Sequence, residues 1–122
     1  MANVQALDHI AFAVPNLDEE VERLTGSLGF AILSRNEQYA LLADPVSGFK
    51  IELNQTTEPV AQFRHLGFRT ADVDAAHDAL VEAGMASTEP PHRRDFARMR
   101  TAFLKEPSGI EVQLVTYDET PT

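Results

Sequence analysis

The stretch Asp8-His9-Ile10-Ala11-Phe12-Ala13-Val14 is echoed later in the chain by Arg64-His65-Leu66-Gly67-Phe68-Arg69-Thr70. Each reads His, an aliphatic residue, a small residue and Phe. Each runs into an acidic helical stretch, Asn16 to Leu24 and Asp72 to Leu80, and then to a glycine, in Leu28-Gly29-Phe30 and Ala83-Gly84-Met85. Further on, Asp44-Pro45-Val46-Ser47-Gly48 and Glu106-Pro107-Ser108-Gly109 each feed a short alternating run, Phe49-Lys50-Ile51-Glu52-Leu53 and Ile110-Glu111-Val112-Gln113-Leu114. Landmarks recurring in one order at an offset of about 55 to 61 residues mark an internal repeat. The reading is an α+β chain of two tandem βαβββ halves, residues 7–54 and 64–116, in a single domain spanning 1–122.

Local signals agree with the repeat. His9 to Val14 reads as a strand. Asn16 is a good helix N-cap, with Glu19 at the capping-box position. Leu17, Val21 and Leu24 form an apolar stripe at helical spacing, and Gly26 and Gly29 stop the helix. Strands are expected over Phe30–Ser34, Gln38–Ala43 and Phe49–Asn54. The second half predicts a strand over Arg64–Thr70, a helix from Asp72 to about Ala83, and strands over Met85–Thr88, Met99–Lys105 and Ile110–Thr116. The linker Gln55 to Val60 is too short to separate independent domains.

Composition narrows the function. The 122 residues are 43% apolar and contain no cysteine, so disulfides, thiolate metal sites and cysteine nucleophiles are excluded. No apolar run approaches a membrane span, and Met1 to Gln5 has no secretion-signal character; a cytoplasmic protein is expected. Ten Lys and Arg against nineteen Asp and Glu give a net charge of −9, which disfavours nucleic acid and anionic membrane as partners. Four of the eight arginines cluster between Arg93 and Arg100.

Strand side chains alternate faces. Ile10, Phe12 and Val14 are the expected core set of the first strand, leaving His9, Ala11 and Ala13 on a helix-free, open face. The same parity puts Glu52 on that face in the first half, and His65, Gly67, Arg69, Glu111 and Gln113 in the second. Each half therefore offers one His and one Glu or Gln from different strands, beside a tiny residue, Ala11 or Gly67, that leaves room for a ligand. Two imidazoles with a carboxylate suit a divalent transition metal. His77, at the helix position of Val21, and His92, in a Pro-flanked loop, are not expected as ligands. Phe63, Phe96 and Phe103 are expected in the core.

The His-x-x-Phe-x-Val start, the Leu-Gly-Phe after the helix and the Asp/Glu-Pro-…-Gly turn before each half's last strand resemble the vicinal oxygen chelate superfamily, over Leu7 to Thr116. That superfamily includes glyoxalase I, methylmalonyl-CoA epimerases, extradiol dioxygenases and bleomycin-binding proteins. The resemblance implies an eight-stranded, U-shaped, partly open barrel around a divalent metal (Zn, Ni, Fe, Mn or Co), a small-molecule substrate and a homodimer. The family's ligand lies four residues after the turn glycine, which selects Glu52 and, in the second half, Gln113 rather than Glu111. The implied metal ligands are His9, Glu52, His65 and Gln113. Members commonly carry Glu at the last position, where it serves as base in glyoxalase-like enzymes; a Gln amide takes no proton at neutral pH, so the departure argues against glyoxalase I itself. The inventory is similar to that of methylmalonyl-CoA epimerases, with Glu and Gln exchanged between halves.

The resemblance implies a metal-dependent lyase or isomerase that stabilises an enediolate or enolate of a small oxygenated substrate. Glu52 is the expected catalytic base, with Glu111 second. Arg69, Arg98 and Arg100 are the expected substrate-binding residues, since arginine pairs bidentately with carboxylate or phosphate. Two other readings are an extradiol-type ring-cleaving dioxygenase and a non-catalytic protein that binds an antibiotic or another small molecule. Only 7% aromatic residues and no Trp argue against the last.

Overall fold

The computed structural model describes residues 4–118. Its elements run β1 (Val4–Val14), α1 (Leu17–Gly26), β2 (Ala31–Arg35), β3 (Tyr39–Ala43), β4 (Lys50–Gln55), β5 (Gln62–Thr70), α2 (Val73–Glu82), β6 (Ala86–Arg94), β7 (Met99–Lys105) and β8 (Glu111–Tyr117), with a 3-10 turn at Asp95–Ala97. The βαβββ order appears twice, as the repeat requires. The described residues group into two compact units. One is residues 8–65; the other is residues 66–118 together with 4–7. Both boundaries cut a strand, after Leu7 in β1 and after His65 in β5, so both repeat histidines fall in the first unit.

In the first unit the strand order is β2-β3-β4-β1. β1 and β4 run parallel with Ala11 opposite Glu52, while β3 is antiparallel to both β2 and β4. A parallel neighbour needs a crossover, and the chain from α1 through β3 supplies it. Asn16 starts α1, its side chain accepting from the Glu19 amide at 3.1 Å. Leu17, Val21 and Leu24 point inward and close a core with Val14, Ala40, Leu42 and Leu53. Burying each of the leucines contributes roughly 1.5–3 kcal/mol. Gln55 ties the strand end to the helix: its Oε1 accepts from the Leu17 amide at 2.9 Å, and its Nε2 donates to the Pro15 carbonyl at 2.6 Å.

The second unit repeats the plan as β5-β8-β7-β6. Gly67 is opposite Gln113 across the parallel β5–β8 pair. Asp72 caps α2, accepting from the Ala75 amide at 3.0 Å, and the core holds Val73, Ala76, Ala102, Leu104 and Leu114. Thr116, the counterpart of Gln55, donates its hydroxyl to the Thr70 carbonyl. The turn glycines before the last strands, Gly48 at φ 77° and Gly109 at φ 95°, adopt the left-handed conformation that side chains disfavour.

Four features differ from expectation. β1 begins at Val4, before the motif. β6 extends to Arg94 despite Pro90 and Pro91, because register shifts between Glu89 and His92 absorb the missing N–H donors; the arginine cluster thus lies in a β6–β7 hairpin around a short 3-10 turn. The face without a helix is also not open. Ala11, Ala13 and His9 are all 2% exposed or less, more covered than Ile10 and Phe12 on the helix side. In β1 parity gives the correct sorting but the wrong solvent side, whereas in β4 Leu53 is buried and Lys50, Glu52 and Asn54 keep partial exposure. Phe96 and Phe63 are 87% and 47% exposed and do not fill the core; only Phe103 of that trio is partly buried. Among the described residues no helix is long and apolar enough to cross a membrane.

Candidate metal centre

His9 stands in β1, Glu52 in the parallel neighbour β4, and His65 in β5 at the end of the first unit. The side chains converge. The Nε2 atoms of His9 and His65 are 3.2 Å apart, with the rings nearly perpendicular at 83°. Glu52 places Oε1 at 3.8 Å from the first nitrogen and Oε2 at 3.7 Å from the second. All three groups can offer a ligand atom within 4.8 Å of one another. Two ligands at ~2.0–2.1 Å from one ion sit roughly 3–3.4 Å apart at tetrahedral or cis-octahedral angles, so the imidazole pair has the right span and the carboxylate needs only a small approach. Two lone pairs at 3.2 Å repel, so the facing nitrogens must share a proton or a metal ion. Imidazole and carboxylate donors together fit a divalent transition metal.

The surroundings orient these groups. Asp8 Oδ2 lies 2.8 Å from His9 Nδ1, and Lys50 Nζ donates to Asp8 Oδ1 at 3.1 Å. The Asp8 and His9 side chains are only 1% and 3% exposed. Asn54, two residues beyond Glu52 on the same face, donates its amide to Glu52 Oε2 at 3.0 Å. Across from Asn54 stands Tyr39. Burial pushes its phenol above the ordinary range; a bond with Ser34 acts the other way, and the charges of Glu52 and Asp8 raise it further.

The remaining expected residues belong to the second unit. Gln113 is buried in β8, opposite Gly67 and Phe103. Its amide orientation follows from chemistry. The Thr101 hydroxyl donates to the Leu114 carbonyl at 2.7 Å, so Thr101 Oγ1 must accept from Gln113 Nε2 at 3.0 Å. The amide NH2 faces Thr101 and the oxygen is directed away from it. Glu111 is half-buried at the start of β8, opposite Lys105. Arg69 is exposed on β5. Arg100 is held by Asp74 of α2 through two bonds of 2.6 and 2.7 Å, which keeps the Asp74 carboxyl below its ordinary value. Arg98 caps the 3-10 turn at φ 52°, its exposed side chain 4.0 Å from Asp118. Arg93 grips that same Asp118 at 2.7 and 2.6 Å, lowering the acid and raising the guanidinium. His77 is satisfied structurally, between Ser87 at 2.8 Å and Asp78 at 3.1 Å. His92 lies beside Glu89 and the Pro90 carbonyl.

Sequence reasoning did not single out Asp8, Lys50, Asn54 or Thr101. Parity puts Asp8 and His9 on opposite faces, so their contact has no spacing signature. Lys50 and Asn54 share the Glu52 parity and were visible only as polar neighbours.

Residues 6–114 match the family described as the glyoxalase/bleomycin resistance protein/dioxygenase superfamily. A probable lactoylglutathione lyase of Vibrio cholerae is 27% identical, covering 94% of this chain and 92% of its own length. Methylmalonyl-CoA epimerase from Mycobacterium tuberculosis superposes with a TM-score of 0.82 at 26% identity, covering 98% of this chain and 92% of that one. A variant of Streptomyces coelicolor methylmalonyl-CoA epimerase in complex with 2-nitronate-propionyl-CoA gives 0.77 at 26% identity, covering 95% and 99%. These relatives are a probable lyase and epimerases, and the solved epimerases share the α+β arrangement seen here. The chain belongs to the glyoxalase/bleomycin resistance protein/dioxygenase superfamily and is a glyoxalase/epimerase-like enzyme.

Proposed function

We propose that this protein moves a proton at a carbon next to a carbonyl in a small oxygenated substrate, as a metal-dependent isomerase or lyase. The observation that carries the reading is the convergence of His9, His65 and Glu52. His9 and His65 would hold a divalent ion through Nε2, and Glu52 through one carboxylate oxygen. Such an ion supplies Lewis acidity to neighbouring oxygens of the substrate. Gln113 is the proposed fourth ligand. Support comes from the repeat, since it faces Gly67 as Glu52 faces Ala11, and from the amide oxygen directed away from Thr101. Glu52 is the one member of the set that takes and returns a proton as a carboxylate, so it is the proposed base. Asn54 holds one of its oxygens and leaves the other toward His9. Glu111 is the second candidate. Arg69 and Arg98 are the proposed contacts for an anionic part of the substrate, with Arg100 available only if it leaves Asp74.

The relatives favour this chemistry: a lyase and epimerases, one of the latter solved with methylmalonyl-CoA. A thioester with an acidic α-carbon, or a thiol adduct of a keto aldehyde, is therefore the first substrate class to try. Elemental analysis of the purified protein, followed by NMR of solvent deuterium exchange into such substrates, tests the reading. Metal-loaded protein should exchange the α-proton and Glu52→Gln should not. Loaded wild-type protein that exchanges none of them sinks the proposal. A ring-cleaving dioxygenase is the second reading, because two His and one carboxylate are also the donor set of non-haem Fe(II) oxygenases. Catechol-dependent oxygen uptake by the Fe(II)-loaded protein separates the two.

A further inference from the structure

The residues that precede the two histidines of the site differ in charge. His9 has Asp8 at Nδ1 and, behind it, Lys50. In the repeat, Arg64 stands where Asp8 does and Glu111 where Lys50 does, so the charges are reversed. Arg64 is exposed, whereas Asp8 is 3% exposed. The buried acid is thus a feature of the first half alone.

A buried carboxylate is costly unless it is paired and hydrogen-bonded. Asp8 meets that condition by receiving the Lys50 ammonium on Oδ1 and the His9 ring on Oδ2. An ionised carboxylate only accepts, so the proton between Asp8 and His9 sits on Nδ1. His9 Nε2 then carries its lone pair toward His65. Lys50 is held in place by the sheet, since it is the register partner of His9 across β1 and β4.

We propose that Asp8 is a positioning residue for the metal site. It locks His9 in the Nδ1–H tautomer and strengthens Nε2 as a donor, with Lys50 aiming the carboxylate. This rests on the functional reading above for the metal, but not for the tautomer. Outer partners of this kind typically change metal affinity by 10–100-fold.

Two measurements decide it. Zn2+ affinity is read by competition with a chromophoric chelator for wild type, Asp8→Ala, Asp8→Asn and Arg64→Ala. The His9 tautomer is read from long-range 1H–15N spectra of the metal-free protein. The expected result is a roughly 10–100-fold weaker affinity in Asp8→Ala, a smaller loss in Asp8→Asn, which still accepts from Nδ1–H, and no comparable loss in Arg64→Ala. Wild-type His9 should be in the Nδ1–H form and Asp8→Ala should show a mixture. Unchanged affinity in Asp8→Ala, or wild-type His9 in the Nε2–H form, overturns the proposal. Should Asp8→Ala fail to fold, the isosteric Asp8→Asn and the wild-type spectrum still decide. Wild-type protein that binds no divalent ion overturns the metal reading and the affinity part of this proposal, while the tautomer spectrum judges the Asp8–His9 lock separately.

Discussion

The halves of this chain share one plan and divide the chemistry unequally. Both cap the helix with Asn or Asp, both close a turn with a left-handed glycine, and both bury a Leu directly after the Glu or Gln of the last strand, Leu53 and Leu114. Asp18 and Asp74, equivalent positions in the helices, each pair with an arginine, Arg35 and Arg100. At the site the two compact units differ. Residues 8–65 contain both histidines, the carboxylate and the buried Asp8–Lys50 pair. Residues 66–118 hold a neutral amide, Gln113, bound to Thr101. The difference teaches that the repeated positions preserve packing, while charge has been redistributed freely: Asp8 and Lys50 against Arg64 and Glu111, Glu52 against Gln113, Val21 against the polar but buried His77.

The strongest way to break this comparison is ligand deletion. His65→Ala should abolish detectable metal binding, because it removes one of three charged or imidazole donors that already converge. Gln113→Ala, removing a neutral donor, should weaken binding by roughly 10–100-fold, the scale of a lost supporting group. Metal stoichiometry and chelator competition check both, and equal effects would mean that the neutral amide matters as much as an imidazole. Next in size is packing. Leu53→Ala and Leu114→Ala should each destabilise by about 2–5 kcal/mol, read from urea unfolding. Similar losses in one shared transition would show that the repeat preserved the cores; a sharply smaller loss in one half would show that it did not. The smallest effect concerns the helix clamp. Arg100 holds the Asp74 carboxyl below its ordinary value, so the pair contributes stability above the usual carboxylate range and loses it as pH falls through the lowered value. Both side chains are about half exposed, so the contribution is small and fades with salt. Arg100→Gln should therefore lower stability slightly at neutral pH and low salt, leave it unchanged below the Asp74 value, and so flatten the acid limb.

Much of the fold was legible because it depends on local and periodic signals. Asn16 and Asp72 cap helices wherever such stretches occur, Gly48 and Gly109 permit a backbone that few residues adopt, and strand alternation sorted His9 and Glu52 from Ile10 and Ile51. The sequence predicts a strand only to Thr88 because Pro90 and Pro91 signal a break, and β6 runs on to Arg94 because the register shift that accommodates them depends on pairing with β7. Charge composition marks Arg98 and Arg100 as candidate substrate contacts but says nothing of partners; in the structure Arg93, Arg94 and Arg100 pair with Asp118, Glu89 and Asp74.

By itself the sequence determined the repeat, the element order and the candidate ligands, since all three rest on spacing along the chain. Only the tertiary structure decided which candidates meet and how they are held. That His9 and His65 face each other at 3.2 Å, that the helix-free face is covered rather than open, and that Asp8 turns to the ring of its own neighbour all depend on where β1, β4 and β5 lie in space. Spacing fixes which face of a strand a side chain leaves from; what it touches depends on the strands around it.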